Sequence, residues 1–201
     1  NGVAERQFRN PTEYGAQKPP SATFTVTGAG ALLLTNERTK IRITHATVGK
    51  IVDMGMTDPN DMGSAMAPAA ADTMIQHFKD LSVAPSNYDL IVTGDLSGIG
   101  MPICKKLLQE QGYDLGDRYD DCGLIIYDPK QDTEVFAGGS GCACSAVTTY
   151  AHLLKKVEMG QLKKIFVVAT GALMSPLMTQ QKETIPCIAH GVVFEHVEES
   201  G

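Results

Sequence analysis

The sequence predicts an α/β protein with a mixed sheet covered by helices on both faces. Two observations carry this. Short, fully apolar strand patterns such as "YDLIVTGD" and "KKIFVVATG" alternate with helical patterns, and strands without a polar face need cover on both sides. Two glycine-rich turns, "VTGDLSGIG" and "FAGGSGCACSA", join strand ends to helix starts, where α/β folds place ligands. The chain of 201 residues is 43% hydrophobic and 20% charged, which is ordinary for a globular domain. A chain of this length buries about 70% of its unfolded surface and needs no covalent staples.

Residues 1–20 are polar, carry Pro11, Pro19 and Pro20, and read as a loop ahead of a domain over 21–201. "SATFTVTGAGALLLTN" alternates and then runs apolar, which predicts strands at 22–27 and 31–35 around a glycine turn at Gly28-Ala29-Gly30. "KIRITHATVGKIVD" is rich in β-branched residues and predicts a long strand kinked at Gly49. "MGMTDPNDMGSAM" reads as a loop. Pro68 then opens a helix to about Leu81, since proline suits a first helical turn. Ala67, Ala70, Ala71, Met74, Ile75, Phe78 and Leu81 recur at the three-to-four spacing of one buried face.

The apolar run of "YDLIVTGD" predicts a strand ending at Gly94. A helix follows from about Ile99 to Gln111, stopped by Gly112. "CGLIIYD" and "TEVFAG" bracket "PKQD" and predict an antiparallel hairpin. A third helix runs over about Ala143–Met159 and is closed by Gly160. "KKIFVVATG" is a further strand, 171–186 a loop with Pro176 and Pro186, and "HGVVFEHV" the last strand.

Several function classes are disfavoured by composition. Net charge is −6 without a Lys/Arg cluster, which argues against nucleic acid. No apolar run reaches the ~18 residues of a membrane span. The chain opens at Asn1 in a polar stretch without a signal peptide, which predicts the interior of a longer protein or a processed product. The five cysteines, Cys104, Cys122, Cys142, Cys144 and Cys187, lack the even count and spacing of a disulfide framework and read as buried thiols in a reducing compartment.

Both glycine-rich turns let backbone approach a ligand and present helix N–H groups to an anion. Neither matches a P-loop or a dinucleotide fingerprint, and tight turns with close packing explain the glycines equally well. Cys142 and Cys144 stand about 200° apart on a helix and have no second pair, so a metal site is disfavoured. Cys142 is a candidate nucleophile near a helix N-terminus, but no histidine announces itself as its base. His152 falls on a polar helix face, His77 beside Gln76 and Lys79, and His45 and His196 in strands with polar neighbours. His190, in "IPCIAHGVV", suits either a pocket lip or a structural hydrogen bond. Asp53, Asp58 and Asp61 lack calcium-loop spacing and read as turn residues, and Asp72 and Asp80 as solvated helix carboxylates. Arg6 and Arg9, beside Phe8, either grip a dicarboxylate or line a solvated loop.

"VGKIVDMGMTDPNDMGSAMAPAAADT", "YDLIVTGDLSGIG", "VFAGGSGCACSAV", "VVATGALMSP" and "IPCIAHGVVFE" closely resemble the stage V sporulation protein AD family of spore-forming bacteria. The resemblance extends from "AERQFRNPTEYG" onward. It implies that this chain is the C-terminal three-fifths of a longer protein and mainly one half of a duplicated, thiolase-like αβαβα fold. It implies a role in uptake of dipicolinic acid (pyridine-2,6-dicarboxylic acid) into the developing spore, with the free acid or its calcium chelate as ligand. It further implies association with the spore inner membrane, membrane-protein partners encoded beside it, and a homodimer.

The related condensing enzymes place an imidazole at the turn after the 88–93 strand. Here Thr93, Gly94 and Asp95 stand there. Those enzymes place a second imidazole or an amide at the later turn, where this chain offers Ser140. With both groups replaced, the resemblance implies a binding protein rather than an enzyme, with no cofactor or metal. The ligand pocket it suggests is lined by Asp95, Ser97, Ser140, Cys142 and His190. The alternatives are an acyltransferase of condensing-enzyme type and a purely structural subunit of a membrane transport complex.

Overall fold

The computed structural model describes residues 19–131 and 135–198; Arg6 and Arg9 lie outside them. In chain order the elements are β1 (Phe24–Thr25), β2 (Ile41–Thr47), α1 (Met62–Leu81), β3 (Leu90–Thr93), α2 (Ser97–Glu110), β4 (Tyr119–Asp121), α3 (Cys122–Ile126) and β5 (Gly139–Ser140). A helix α4 follows in three consecutive stretches, Cys144–Thr148, Thr149–Leu153 and Leu154–Glu158, then β6 (Lys164–Ala172), α5 (Pro176–Gln180) and β7 (Cys187–His196).

A five-stranded mixed sheet of order β2-β7-β6-β3-β4 organises these elements. β3 lies parallel to both β4 and β6, while β7 runs antiparallel to β6 and β2. β1 and β5 form a separate parallel pair. Side chains alternate across the sheet as strand geometry demands. Ile91, Phe166, Val168 and Val193 join one core with Ala70, Met74 and Phe78 of α1 and Cys104 and Leu108 of α2. Val92, Ile165, Val167 and Phe194 join a second core with Leu153, Leu154 and Val157 of α4. The sheet is thus apolar on both faces with helices over each, as the sequence predicts. Each fully buried Val, Ile or Phe contributes roughly 1.5–3 kcal/mol.

α1 starts earlier than predicted. Asp61 caps it by accepting from the Ser64 N–H at 3.1 Å, and Pro68 lies inside the helix. Alanines flank the proline on both sides, and their helix propensity together with burial carries the helix through it. The helix ends at Ser82 in a left-handed conformation, φ 52°. α1 and α2 meet backbone to backbone. A Cβ on Gly100 would lie 2.4 Å from the Gly63 carbonyl oxygen, and one on Gly63 2.5 Å from the Leu96 oxygen.

Two predicted elements are absent. Residues 31–35 form no strand, and Leu33 and Leu34 are exposed. The stretch read as the first arm of a hairpin is helix α3, because the Asp121 carboxylate caps it by accepting from Gly123 N–H. β4, just before it, was not predicted. A π-turn at Thr149–Leu153 interrupts α4. The predicted strand over "KIRITHATVGKIVD" divides into β2 and an isolated bridge from Val52 to Cys187. Among the described residues no helix is long and apolar enough to cross a membrane.

Candidate functional site

Three separate turns are tied together at Asp95. Its carboxylate accepts from the Gly141 N–H at 3.1 Å and from the Thr170 hydroxyl at 2.6 Å. The turn after β3, the turn before α4 and the end of β6 therefore converge on one nearly buried acid, 7% exposed. Gly94 brings the first turn against β6. Its N–H donates to the Val168 carbonyl at 3.0 Å, and a Cβ there would sit 3.1 Å from Thr170 N. The Cys144 thiol donates to the Gly94 carbonyl at 3.3 Å.

A second acid lies behind the same turn. Asp121 is fully buried. One of its oxygens accepts from the Thr93 hydroxyl at 2.7 Å and Leu96 N–H at 2.8 Å. The other accepts from Ser97 N–H at 3.0 Å and Gly123 N–H at 2.9 Å. Burial pushes this carboxyl up to about 7; the donors from Thr93, Ser97 and Leu96 oppose the rise, and the charge of Asp95 adds to it. Ser97 takes φ 58°, a left-handed conformation that costs a non-glycine residue of order 1 kcal/mol. Its hydroxyl donates to the Gly139 carbonyl at 2.7 Å.

The five site residues expected from the sequence divide accordingly. Asp95, Ser97 and Ser140 belong to the joined turns. Ser97 and Ser140 are fully buried, and the Ser140 hydroxyl meets that of Thr23. Cys142 follows Gly141 and is exposed. His190 is exposed on β7 opposite Ala169, and its Nδ1 accepts from the Gly49 N–H at 3.1 Å. Of the remaining expectations, Asp72 pairs with Lys50 at 2.8 Å. His77, read beside polar neighbours, is instead fully buried. Among the described residues no group of three or more His, Cys, Asp or Glu is placed to hold a metal ion.

The family profile described as Stage V sporulation protein AD matches residues 1–195. The chain belongs to the stage V sporulation protein AD family. It is 66% identical over 195 residues to the Stage V sporulation protein AD of Bacillus subtilis (strain 168), which covers 97% of this chain and 57% of that protein. The chain thus spans little more than half the length of this family relative. A solved structure, 3-oxoacyl-[acyl-carrier-protein] synthase III from Aquifex aeolicus VF5, superposes with a TM-score of 0.43 at 11% identity, over 81% of this chain and 47% of that one. Membership of the stage V sporulation protein AD family gives the chain a role in sporulation.

Within this member of the stage V sporulation protein AD family, Asp121 and Thr170 were missed in the sequence. "RYDDCG" does hold the signal for Asp121: an acid directly ahead of a helix start is a cap. The β-rich "GLIIY" that follows hid it. Nothing local marks Thr170, because its partner Asp95 lies 75 residues away.

Proposed function

We propose that this chain is part of a non-enzymatic protein that binds dipicolinate, or its calcium chelate, and serves dipicolinate uptake into the developing spore. The observation that carries the reading is the state of Asp95. Where the resemblance to condensing enzymes calls for an imidazole, this chain has a carboxylate accepting from Gly141 and Thr170. An accepting carboxylate has no proton to offer a thioester oxyanion, so it does not replace the imidazole in acyl transfer. The second catalytic position carries Ser140, buried against Thr23.

What the site retains suits recognition. Glycine-lined turns and helix N-termini favour a planar anion. Cys142 and His190, both exposed, are the groups of the expected set available to a ligand, with the rest of the pocket supplied by the remainder of the full-length protein. In this reading the protein works at the spore inner membrane beside membrane-protein partners, as a homodimer.

Titration calorimetry of the full-length protein with dipicolinate tests the proposal. Saturable heat is expected, and a comparison with and without calcium identifies the bound form. An absence of saturable binding in both conditions overturns it. A covalent acyl adduct on a cysteine after an acyl-CoA challenge, read by mass spectrometry, supports the condensing-enzyme alternative instead.

A further inference from the structure

The Asp95 turn is held from both sides. In front, Gly141 and Thr170 donate to Asp95. Behind, Asp121 takes donors from Thr93, Leu96 and Ser97, which precede and follow Asp95 in the chain, and from Gly123 of α3. The backbone between Thr93 and Ser97 contains a strained residue, Ser97, and such a conformation persists only where its surroundings over-determine it. Three of the four groups bonded to Asp121 lie within two residues of Asp95.

We propose that Asp121 is the positioning residue of the Asp95 turn: by accepting from Thr93, Leu96 and Ser97 it fixes the backbone path that aims the Asp95 carboxylate at Gly141 and Thr170. The four neighbours of Asp121 all donate to its oxygens, so it serves the turn as a shared acceptor. Removing one acceptor set leaves buried N–H groups unpaired, and the turn relaxes to satisfy them. The other titratable groups around Asp121 are Asp95 on the turn, Tyr119 and Asp120 on β4, Cys104 on α2 and Cys122 on α3. Burial raises Tyr119, Cys104 and Cys122, so these three stay neutral where Asp121 titrates. The consequence for ligand binding rests on the dipicolinate reading above; the positioning itself does not.

The test uses the full-length protein and three measurements. In thermal unfolding, Asp121→Asn and Thr170→Val are made singly and together. If Asp121 aims Asp95 at Thr170, the loss from Thr170→Val shrinks once Asp121 is gone, and the double variant loses less than the sum. In amide hydrogen exchange at a single pH, corrected for intrinsic rates, Asp121→Asn lowers the protection of Leu96, Ser97 and Gly123, whose N–H groups donate to Asp121. In calorimetry, Asp121→Asn weakens dipicolinate binding about tenfold or more. Additive thermal losses, or an exchange profile unchanged in Asp121→Asn, overturn the inference. If the unsubstituted protein does not bind dipicolinate, the binding reading falls and the first two measurements still decide the positioning. Should Asp121→Asn not fold, Thr93→Val removes one donor to Asp121 and is expected to lower the protection of Leu96 and Ser97; unchanged protection overturns the inference.

Discussion

The imidazole of His77 lies flat against the ring of Phe166, with centroids 3.9 Å apart and planes 17° apart. Its Nδ1 meets the Thr47 hydroxyl at 2.6 Å and its Nε2 the Tyr88 hydroxyl at 2.7 Å. One buried ring thereby links edge strand β2, helix α1 and the segment leading into β3. Burial is the main cause that lowers His77 from 6.5 to about 4, with the nearby His45 a second one.

This makes His77 a source of acid lability. The unfolded chain takes up a proton as pH falls below about 6.5, while the folded protein refuses it down to about 4. Stability from this group is therefore fully present above pH 6.5 and is lost as pH falls through 4. The substitution His77→Gln is expected to flatten this part of the profile and to cost about 1–3 kcal/mol at neutral pH, through the lost stacking and paired hydrogen bonds. Denaturant unfolding between pH 4 and 8 measures both.

Asp121 acts in the opposite sense. Its folded value is raised to about 7 from 3.8, so the folded state holds a proton that the unfolded chain has already released. Its contribution favours folding at low pH and declines as pH rises from about 4 to 7. Between pH 4 and 6.5 it offsets His77. Replacing Asp121 by Asn is expected to leave a steeper acid limb than that of the unsubstituted protein, and the same unfolding series reads it.

The crossing of α1 and α2 tolerates no side chain at its contact. Gly100→Ala places a methyl 2.4 Å from the Gly63 carbonyl oxygen, and neither partner is a flexible side chain that can step aside. A loss of about 3 kcal/mol is expected, at the upper end of overpacking costs. A fall in the midpoint of chemical denaturation with an unchanged slope checks it.

Thiol chemistry separates one cysteine from four. Cys142 is exposed, whereas Cys104, Cys122, Cys144 and Cys187 are buried, with Cys104 and Cys187 pushed up to about 12 by burial. Brief alkylation of the native protein is expected to modify Cys142 first and the other four only on unfolding. If the proposed pocket is correct, dipicolinate slows the labelling of Cys142. Peptide mass spectrometry follows each site.

Much of this architecture is legible in the sequence, and the exceptions have physical causes. The strands around Ile91 and Val167 read true because both sheet faces are apolar, so composition alone marks them. Leu32, Leu33 and Leu34 look the same in sequence yet are exposed, since a short apolar run says nothing about what lies over it. In α3, the cap on Asp121 outweighs the β propensity of Ile125 and Ile126, as tertiary contacts commonly do. At the site, the two glycine-rich turns are legible in the sequence, while the choice of Asp95 and Ser140 within them comes from the resemblance to condensing enzymes. His77 was not found, because the groups that make its burial possible, Thr47 and Tyr88, lie 30 and 11 residues away.

The glycine pair between α1 and α2 also limits how the family can vary. No residue is smaller than glycine, so neither Gly63 nor Gly100 can drift in size without separating the two helices. Gly63 also faces the Leu96 oxygen, one residue from Asp95. Sequence divergence that reshapes the Asp95 turn must therefore enter from the β6 or α4 side, where Thr170 and Gly141 stand, while the α1 side acts as a fixed stop.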